Sequence, residues 1–235
     1  SKETKDELIK EDPKSAEIIK PILRGKDISK YSYEFAELYL INSHNGYTNS
    51  KGERITPIDV KNNYPAIYKH LMQFEKELIK RTDKGEHFTN LRNCAYLEDF
   101  EKEKIIYPCI MAKESNFAFD TNFNFAPAPA NIITGNSIKY LLCLLNSKII
   151  YFAMRKYYMG GGIEGELKTN NLLKIPIPLL SEEKQKPFVE IVDKILEMKK
   201  ENPNADTTDL EKQIDNMVYD LYGLTKEEIE IVEGK

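Results

Sequence analysis

The tract Ser137–Gln185 reads SIKYLLCLLNSKIIYFAMRKYYMGGGIEGELKTNNLLKIPIPLLSEEKQ. It begins with an apolar helix, continues into a basic and aromatic helix, and breaks at Gly160-Gly161-Gly162, because glycine disfavours helix. A polar loop, an Ile-Pro-Ile-Pro exit and a new helix start follow. This order predicts a scaffold that presents a loop to a partner, and it does not predict a catalytic centre.

Sequence patterns outside this tract predict an α+β fold, in which helices pack on a small mixed or antiparallel sheet. Residues 62–80 place apolar side chains at helical spacing, which predicts one amphipathic helix. Short apolar runs between turn residues predict strands. The strand candidates are Glu37 to Asn42, Asn93 to Leu97, Lys104 to Met111, Phe117 to Phe119 and Asn131 to Thr134.

The C-terminal part of the chain predicts a helical hairpin followed by a short terminal helix. Two apolar stripes at helical spacing lie on either side of Asn202-Pro203-Asn204. Residue pairs with capping-box spacing indicate two helix starts. These pairs are Thr208 with Glu211 and Thr225 with Glu228. The hairpin and terminal helix make up the second of two predicted domains, residues 181–235, after a first domain of residues 1–180.

Composition indicates a folded chain with no membrane segment. Its 235 residues are 41% hydrophobic and 31% charged, enough to bury a core beneath a polar surface. The N-terminus has no signal-peptide pattern, and the longest apolar run, Tyr140 to Leu145, is too short to span a bilayer. The cysteines, Cys94, Cys109 and Cys143, form neither an even set nor a CxxC pair. We therefore expect the protein to reside in a reducing cytoplasm and to contain neither a disulfide framework nor a zinc site.

The chain has a net charge of −4, but its charges are unevenly distributed. Residues 139–174 contain six basic and two acidic side chains, whereas residues 181–235 contain eight basic and fifteen acidic ones. The acidity therefore belongs to the C-terminal helices. The loop-presenting tract is basic, which is compatible with a nucleic-acid partner despite the negative total.

The sequence lacks the residue patterns of common catalytic and metal sites. Residues 160–162 have neither the GxGxxG nor the GxxxxGK[ST] spacing of a phosphate-binding loop, so they predict a plain loop. Residues 62–65 (NNYP) resemble the NPPY-type motif of amino-methyltransferases only superficially and predict a helix N-terminus. Histidines His44, His70 and His87 are widely separated and near no cysteine pair. We expect no catalytic residue, cofactor or metal ligand in this chain.

Three further stretches accompany the Ser137–Gln185 tract in a specific order. They are Lys20 to Tyr31 (KPILRGKDISKY), Leu91 to Tyr107 (LRNCAYLEDFEKEKIIY) and Val218 to Thr225 (VYDLYGLT). With these stretches the chain resembles the TaqI-like C-terminal specificity domain of adenine-specific DNA methyltransferases and type IIG restriction-modification enzymes. It is also similar to the target recognition domains of type I specificity subunits. The resemblance covers nearly the whole chain.

The resemblance implies that residues 1–180 are a DNA target recognition domain whose partner is double-stranded DNA. It implies a parent chain whose N-terminal catalytic domain methylates adenine N6 with S-adenosylmethionine, and it allows a nuclease domain that uses Mg²⁺. The family's specificity domain closes over DNA while the target base leaves the stack for chemistry. We expect the present chain to be non-catalytic and cytoplasmic, with the parent's catalytic domain as a second partner.

Polar side chains in the predicted loops are candidates for DNA contact. Arginine and lysine can bind guanine or phosphate, and asparagine can pair with adenine. The first-rank candidates are Asn90, Arg92, Asn93, Lys113, Asn116, Lys168, Asn170 and Asn171, with Gly161 and Gly162 allowing close approach of the backbone. The second-rank candidates are Arg24, Lys26 and Lys30. For each of them, a solvated surface side chain is the alternative.

Other functions remain open from the sequence. The acidic helical hairpin is compatible with a protein-interaction module in which DNA contact is incidental. Glu166 and Lys168 have the ExK letters of a metal-dependent nuclease, with solvated loop charges as the alternative. Residues 155–158 (RKYY) are able to stack on or grip a nucleic-acid backbone, and a tyrosine pair that covers the core is the alternative.

Overall fold

A computed structural model of the chain describes residues 1–160 and 162–234. Its contacts divide the chain into two compact units, each built from segments that are separate in sequence. Unit 1 comprises Ser1–Ile22, Phe35–Lys102 and Phe123–Phe125. Unit 2 comprises Leu23–Glu34, Glu103–Asn122 and the chain from Ala126 onward. The backbone therefore passes repeatedly between the two units.

The secondary structure consists of helices of ten residues or fewer before residue 180, two longer helices and one eight-residue helix after it, and short strands. The helices are α1 (Lys2–Glu11), α2 (Val60–Asn63), α3 (Pro65–Met72), α4 (Glu75–Lys80), α5 (Ile138–Leu145), α6 (Lys148–Ala153), α7 (Thr169–Leu172), α8 (Glu182–Glu201), α9 (Thr208–Tyr222) and α10 (Lys226–Glu233). The strands are β1 (Ile19–Pro21), β2 (Ile28–Ser29), β3 (Ser32–Tyr33), β4 (Tyr39–Ile41), β5 (Tyr47–Thr48), β6 (Arg54–Ile55), β7 (Lys104–Pro108), β8 (Ala118–Asp120) and β9 (Ala130–Ile133). Across residues 1–160 and 162–234, none of the helices has both the length and the apolar character needed to cross a bilayer.

Unit 1 combines α1 to α4 with two small antiparallel strand pairs. β1 pairs with β4, with Ile19 opposite Ile41, and β5 pairs with β6. An apolar core joins the β1 region to the helices, because these elements bury their aliphatic and aromatic faces together. Its buried members are Leu8, Ile18, Ile19, Val60, Tyr64, Ala66 and Ile67.

Unit 2 is organised around β7, the central strand of the antiparallel sheet β8-β7-β9. Every residue of β7 is buried, as expected of a central strand covered on both faces. Ile105 lies opposite Phe119 on β8 and Ile133 on β9. Helix α5 contacts both β7 and β8, and it also packs against α8. The predicted α+β class with a small antiparallel sheet is confirmed.

The predicted C-terminal hairpin is present as α8 and α9, and α10 packs against α6. The apolar stripes of α8 and α9 contribute to the same hydrophobic core as β7 and α5. Their buried members are Phe188, Val192, Ile195, Ile214 and Val218. The apolar stripes of both helices are therefore already packed against other residues of unit 2. The domain boundary between residues 180 and 181 stays a prediction.

The prediction of one continuous helix over residues 62–80 is wrong. The structure instead contains α2, α3 and α4, with breaks at Tyr64 and at Phe74. Tyr64 precedes Pro65 and takes φ −139° and ψ 69°, because the proline ring disfavours helical geometry at the preceding residue. Pro65 then opens α3, where a missing N–H has no cost.

Two further predictions are corrected. Residues 93–97 do not form a strand: Asn93 and Tyr96 are exposed, and a 3₁₀ turn begins at Leu97. The predicted capping box of Thr208 is also wrong, since Thr207 is the N-cap of α9. The second box is confirmed, because Thr225 and Glu228 exchange side-chain to backbone hydrogen bonds at the start of α10.

A buried ion pair links the two strands β7 and β8. Lys104 and Asp120 lie opposite each other in the register, and their side chains are fully buried with Nζ 2.7 Å from Oδ2. Asp120 Oδ1 also accepts hydrogen bonds from the Tyr33 hydroxyl at 3.0 Å and from the Asn122 N–H at 3.1 Å. Burial lowers the pKa of Lys104, and the hydrogen bond to Asp120 opposes that change. The sequence pattern, which predicted an apolar strand here, contained no sign of this pair.

Candidate functional site

Two loops of unit 2 are joined edge to edge through their backbones. Residues 109–116 follow β7, and residues 159–168, of which the structure describes all but residue 161, follow the helical tract; we name them the paired loops. The Met111 N–H donates to the Gly165 carbonyl, and the Leu167 N–H donates to the Cys109 carbonyl, both at 2.8 Å. Ile110 and Glu166 form the antiparallel bridge between them. Backbone hydrogen bonds to residues 109–116 therefore hold the loop that follows the helical tract.

Gly165 is a point of close backbone approach between the paired loops. Its φ of +75° lies in the left-handed region, and a Cβ there would stand 2.6 Å from the backbone N and Cα of Ala112. Only glycine fits this position without moving the backbone. The neighbouring Leu167 is fully buried in the core of unit 2 and anchors the same segment.

Substitution of Gly165 by alanine should separate the paired loops. The new Cβ collides with backbone atoms, and left-handed geometry costs an alanine about 1–2 kcal/mol. We expect hydrogen exchange at the Met111 amide to accelerate by at least about tenfold, because that amide donates to the Gly165 carbonyl. Gly162→Ala is the matched control, since Gly162 also has positive φ but has open space around its Cβ. Equal protection of Met111 in both variants would contradict this role.

The helical tract before the second loop supports the first loop. α6 continues into a π-helical turn, Met154–Tyr158, whose first residue is fully buried. The Tyr151 hydroxyl donates to the Met111 carbonyl at 3.0 Å. Arg155 forms an ion pair with Glu164 across the second loop at 3.0 Å. The helical tract therefore contacts both paired loops.

A buried asparagine holds the C-terminal end of the first loop. Asn146, at the end of α5, is 1% exposed. Its Nδ2 donates to the Phe117 carbonyl at 2.8 Å, and its Oδ1 accepts the Phe117 N–H at 3.2 Å. The amide therefore substitutes for a strand partner at this point. The pattern of an apolar helix ending in asparagine was present in the sequence, but its partner was not identifiable from it.

Exposed polar side chains surround the paired loops. Lys113 lies in the first loop, Lys156 lies in the π-helical turn, and Lys168 ends the second loop. Lys168 is 3.8 Å from Glu166, a long separation for an exposed ion pair, which contributes little. Tyr157 has 76% of its surface exposed. We name this set the loop surface: Lys113, Lys156, Tyr157, Lys168 and Asn170.

The remaining first-rank candidates of unit 2 differ in their contacts. Asn171 is half-buried, and its Nδ2 donates to the Tyr158 carbonyl at 2.8 Å, at the end of the π-helical turn. Asn116 is half-buried, with its Oδ1 enclosed and without a hydrogen-bond partner in the described part of the chain. Gly162 is exposed with φ +119°. Gly161 lies outside the described residues.

The candidates Asn90, Arg92 and Asn93 belong to unit 1 and differ in exposure. Asn90 is 3% exposed, and its Nδ2 donates to the carbonyls of Ile58 at 2.9 Å and His44 at 3.2 Å. It therefore braces loop backbone and has no free amide edge for a base. Asn93 is exposed and accepts a hydrogen bond from Asn45 at 2.8 Å. Arg92 is exposed.

The second-rank candidates of unit 2 are mostly engaged in ion pairs. Arg24 binds Asp27 through two guanidinium nitrogens, at 2.7 and 2.9 Å, and this contact lowers the pKa of the Asp27 carboxyl. Lys30 lies 2.6 Å from Glu211 on α9. Lys26 is exposed. Among the three, only Lys26 extends into solvent without an ion pair to the described residues.

The residues considered for metal chemistry are not grouped. Within residues 1–160 and 162–234, no cluster of three or more His, Cys, Asp and Glu side chains is arranged to hold a metal ion. His44 accepts the Gly46 N–H through Nδ1 at 3.2 Å, and burial lowers its pKa. His87 contacts the Thr89 hydroxyl, and His70 packs edge-on against Phe74. These contacts shape local turns and helix ends.

Comparison with known proteins identifies one family. A model of the TaqI-like C-terminal specificity domain matches residues 20–177, two thirds of the chain. This range includes the paired loops and every candidate residue named above. No curated protein matches the chain.

Solved structures with a similar fold include the Type IIL restriction-modification enzyme MmeI in complex with DNA. The TM-score is 0.64 at 13% sequence identity, so the likeness is one of fold. The alignment covers 96% of this chain and 31% of the MmeI chain. The present chain therefore spans about a third of that enzyme's length.

Proposed function

Because the chain belongs to the family of TaqI-like C-terminal specificity domains, we propose that it recognises a sequence in double-stranded DNA as the specificity part of a restriction-modification enzyme. The observation that carries this proposal is the loop surface, where exposed cations and an aromatic ring surround two loops with fixed backbones. Cations of this kind bind phosphates, whereas loop amides read base edges. That MmeI was solved in complex with DNA supports the same partner.

The geometry narrows the set of residues that we assign to DNA. Lys113, Lys168 and Asn170 are exposed around the paired loops, and Gly162 leaves the backbone accessible beside them. Backbone hydrogen bonds between the loops reduce the conformational entropy that DNA binding would otherwise cost. We leave out Asn90, Asn171, Arg24 and Lys30, because their polar groups already have partners within the chain. Arg92, Asn93 and Lys26 stay as secondary candidates.

We also propose that the chemistry resides outside this chain. A catalytic domain of the parent protein would transfer a methyl group from S-adenosylmethionine to adenine N6 in the cytoplasm. A nuclease domain, where present, would use Mg²⁺. The greater length of the MmeI chain supports such a division of labour. This part is tested with the full-length parent, which should methylate adenine only in duplexes that the present chain selects.

An assembly module built on the acidic hairpin is the weaker candidate. The apolar stripes of α8 and α9 are already packed into the core of unit 2. A partner would have to bind the charged faces of these helices. Removing the hairpin would expose the core, so truncation does not separate the two functions.

The DNA proposal is tested by selection from a pool of duplexes with a randomised core, followed by anisotropy titrations at several salt concentrations. We expect enrichment of one sequence pattern. We also expect log K to fall linearly with log salt, with a slope of about −0.9 for each phosphate contacted. If the pool shows no enrichment and no duplex binds at low salt, the proposal is wrong.

A further inference from the structure

The most exposed aromatic side chain beside the paired loops is Tyr157. It has 76% of its surface exposed, whereas the adjacent Tyr158 is half-buried and packs against the core of unit 2. The sequence offered two alternatives for this pair, nucleic-acid contact or core cover. The structure divides the pair between an exposed ring and a packed one.

The π-helical turn produces this division. The Met159 N–H donates to the Met154 carbonyl at 2.7 Å, a five-residue spacing that inserts one extra residue into the last turn. Met154 is fully buried at the start of the turn, and Asn171 binds the Tyr158 carbonyl at its end. Both ends of the turn are therefore fixed. Turns of this kind occur often at functional sites.

Basic side chains border Tyr157, although Arg155 is paired with Glu164 and the acidic Glu114 and Glu166 lie in the same paired loops. Arg155 and Lys156 precede it in the same turn, and Lys113 and Lys168 belong to the adjoining paired loops. Aromatic rings within basic surfaces stack on bases, because every base presents a π-face that a lysine cannot use. Ile110 and Ile163, one in each of the paired loops, are also exposed, at 45% and 52%. Their side chains, however, are smaller than a tyrosine ring and offer no planar face.

We propose that Tyr157 stacks against a base at a locally opened step of the bound duplex and so contributes to sequence selection. This inference rests on the proposed DNA-recognition function. An inserted side chain must partly unstack the step it contacts, and pyrimidine–purine steps open most easily. Stacking by the Tyr157 ring would therefore favour targets with a pyrimidine–purine step at one position. The ring would make this selection without a hydrogen bond to the bases.

The first test compares ring and hydroxyl variants in titrations with the duplex enriched by the unchanged chain. Tyr157→Leu should weaken binding by about 5- to 100-fold, in line with the contribution of one stacked base. Tyr157→Phe keeps the ring and should bind within about twofold of the unchanged chain. The slope of log K against log salt should be the same in all three proteins, because no charge is removed. Leu179→Ala, at an exposed apolar site outside the paired loops, is the control and should bind like the unchanged chain.

The second test uses fluorescence, because the chain contains no tryptophan. Tyr157→Trp places a single reporter in the turn, and stacking on a base should quench its emission and protect it from acrylamide. Leu179→Trp is the control at a site that is 98% exposed. Its emission and its acrylamide quenching should not change when DNA is added. Protection of the indole in the Tyr157→Trp variant, without protection in the control, supports stacking.

The outcomes separate this inference from the function on which it depends. If the unchanged chain selects and binds DNA but Tyr157→Leu binds equally well, the stacking role is wrong and DNA recognition stands. If Tyr157→Phe loses as much affinity as Tyr157→Leu, the hydroxyl group makes the contact and stacking is wrong. If the unchanged chain binds no duplex, both proposals fail. Selection with Tyr157→Leu should also lose the preference at one step while keeping the rest of the pattern.

Discussion

Replacing Lys113, Lys156 and Lys168 together by alanine should weaken binding to duplex DNA by about two orders of magnitude or more at roughly 0.1 M salt. Each lysine that neutralises a phosphate steepens the fall of log K with log salt by about 0.9. One such contact therefore raises the affinity about eightfold between 1 M and 0.1 M salt. Three such contacts multiply to several hundredfold, and the slope should fall by about 2.7. The three side chains are exposed, so the fold should be unaffected. Anisotropy titrations across a salt series measure both quantities.

A matched control removes the same charge elsewhere in unit 2. Lys184 and Lys194 on α8 and Lys226 on α10 are exposed, and their triple alanine variant has the same net charge as the first. We expect this control to keep the affinity and the slope of the unchanged chain within experimental error. If both variants weaken binding equally, the effect comes from total charge. The loop surface would then lose its special role.

Replacing Lys104 by methionine should destabilise the chain by about 3–5 kcal/mol, because it leaves Asp120 charged in the core without its cation. This is a large part of the usual total stability of a domain, about 5–15 kcal/mol. Chemical denaturation measures the loss. Lys104→Met should therefore reduce the denaturant midpoint strongly or yield a partly unfolded protein.

A second substitution distinguishes an uncompensated charge from a packing defect. Lys104→Met combined with Asp120→Asn removes that charge, while the amide oxygen still accepts the Tyr33 hydroxyl and the Asn122 N–H. We expect the double variant to recover at least half of the lost free energy of unfolding. If the double variant is less stable than Lys104→Met, the two residues are not coupled through charge. The ion pair would then be incidental to stability.

Much of the architecture was predictable from local patterns. The buried run of β7 and the paired stripes of α8 and α9 have the periodicity of their elements, although β7 ends at Pro108, three residues before the predicted Met111. The predicted helix over residues 62–80 was wrong because one residue overrode a longer pattern. Pro65 divided a run with helical spacing, because its ring acts on the residue before it.

The candidate site was only partly predictable. Exposure of Lys113 and Lys168 agrees with loop assignments made from polarity and glycine content, whereas Asn170 is exposed on the short helix α7 and not in a loop. Burial of Asn90 was not visible in the sequence, because it depends on distant carbonyls, such as that of Ile58, that converge on one amide. The same limit applies to Gly165, whose need for glycine arises from Ala112 in another segment. Such contacts are fixed by tertiary folding and leave no local pattern.

The backbone bonds between the paired loops have a consequence for transferring specificity between related proteins. A graft of one loop alone would bring a new length or conformation against an old partner, and the Met111 to Gly165 hydrogen bond would lose its register. Exchanging both loops together would keep the donor's own pairing intact. The two loops therefore form one structural unit, although two separate segments of the sequence contribute them. Recombination or design should exchange them as a pair.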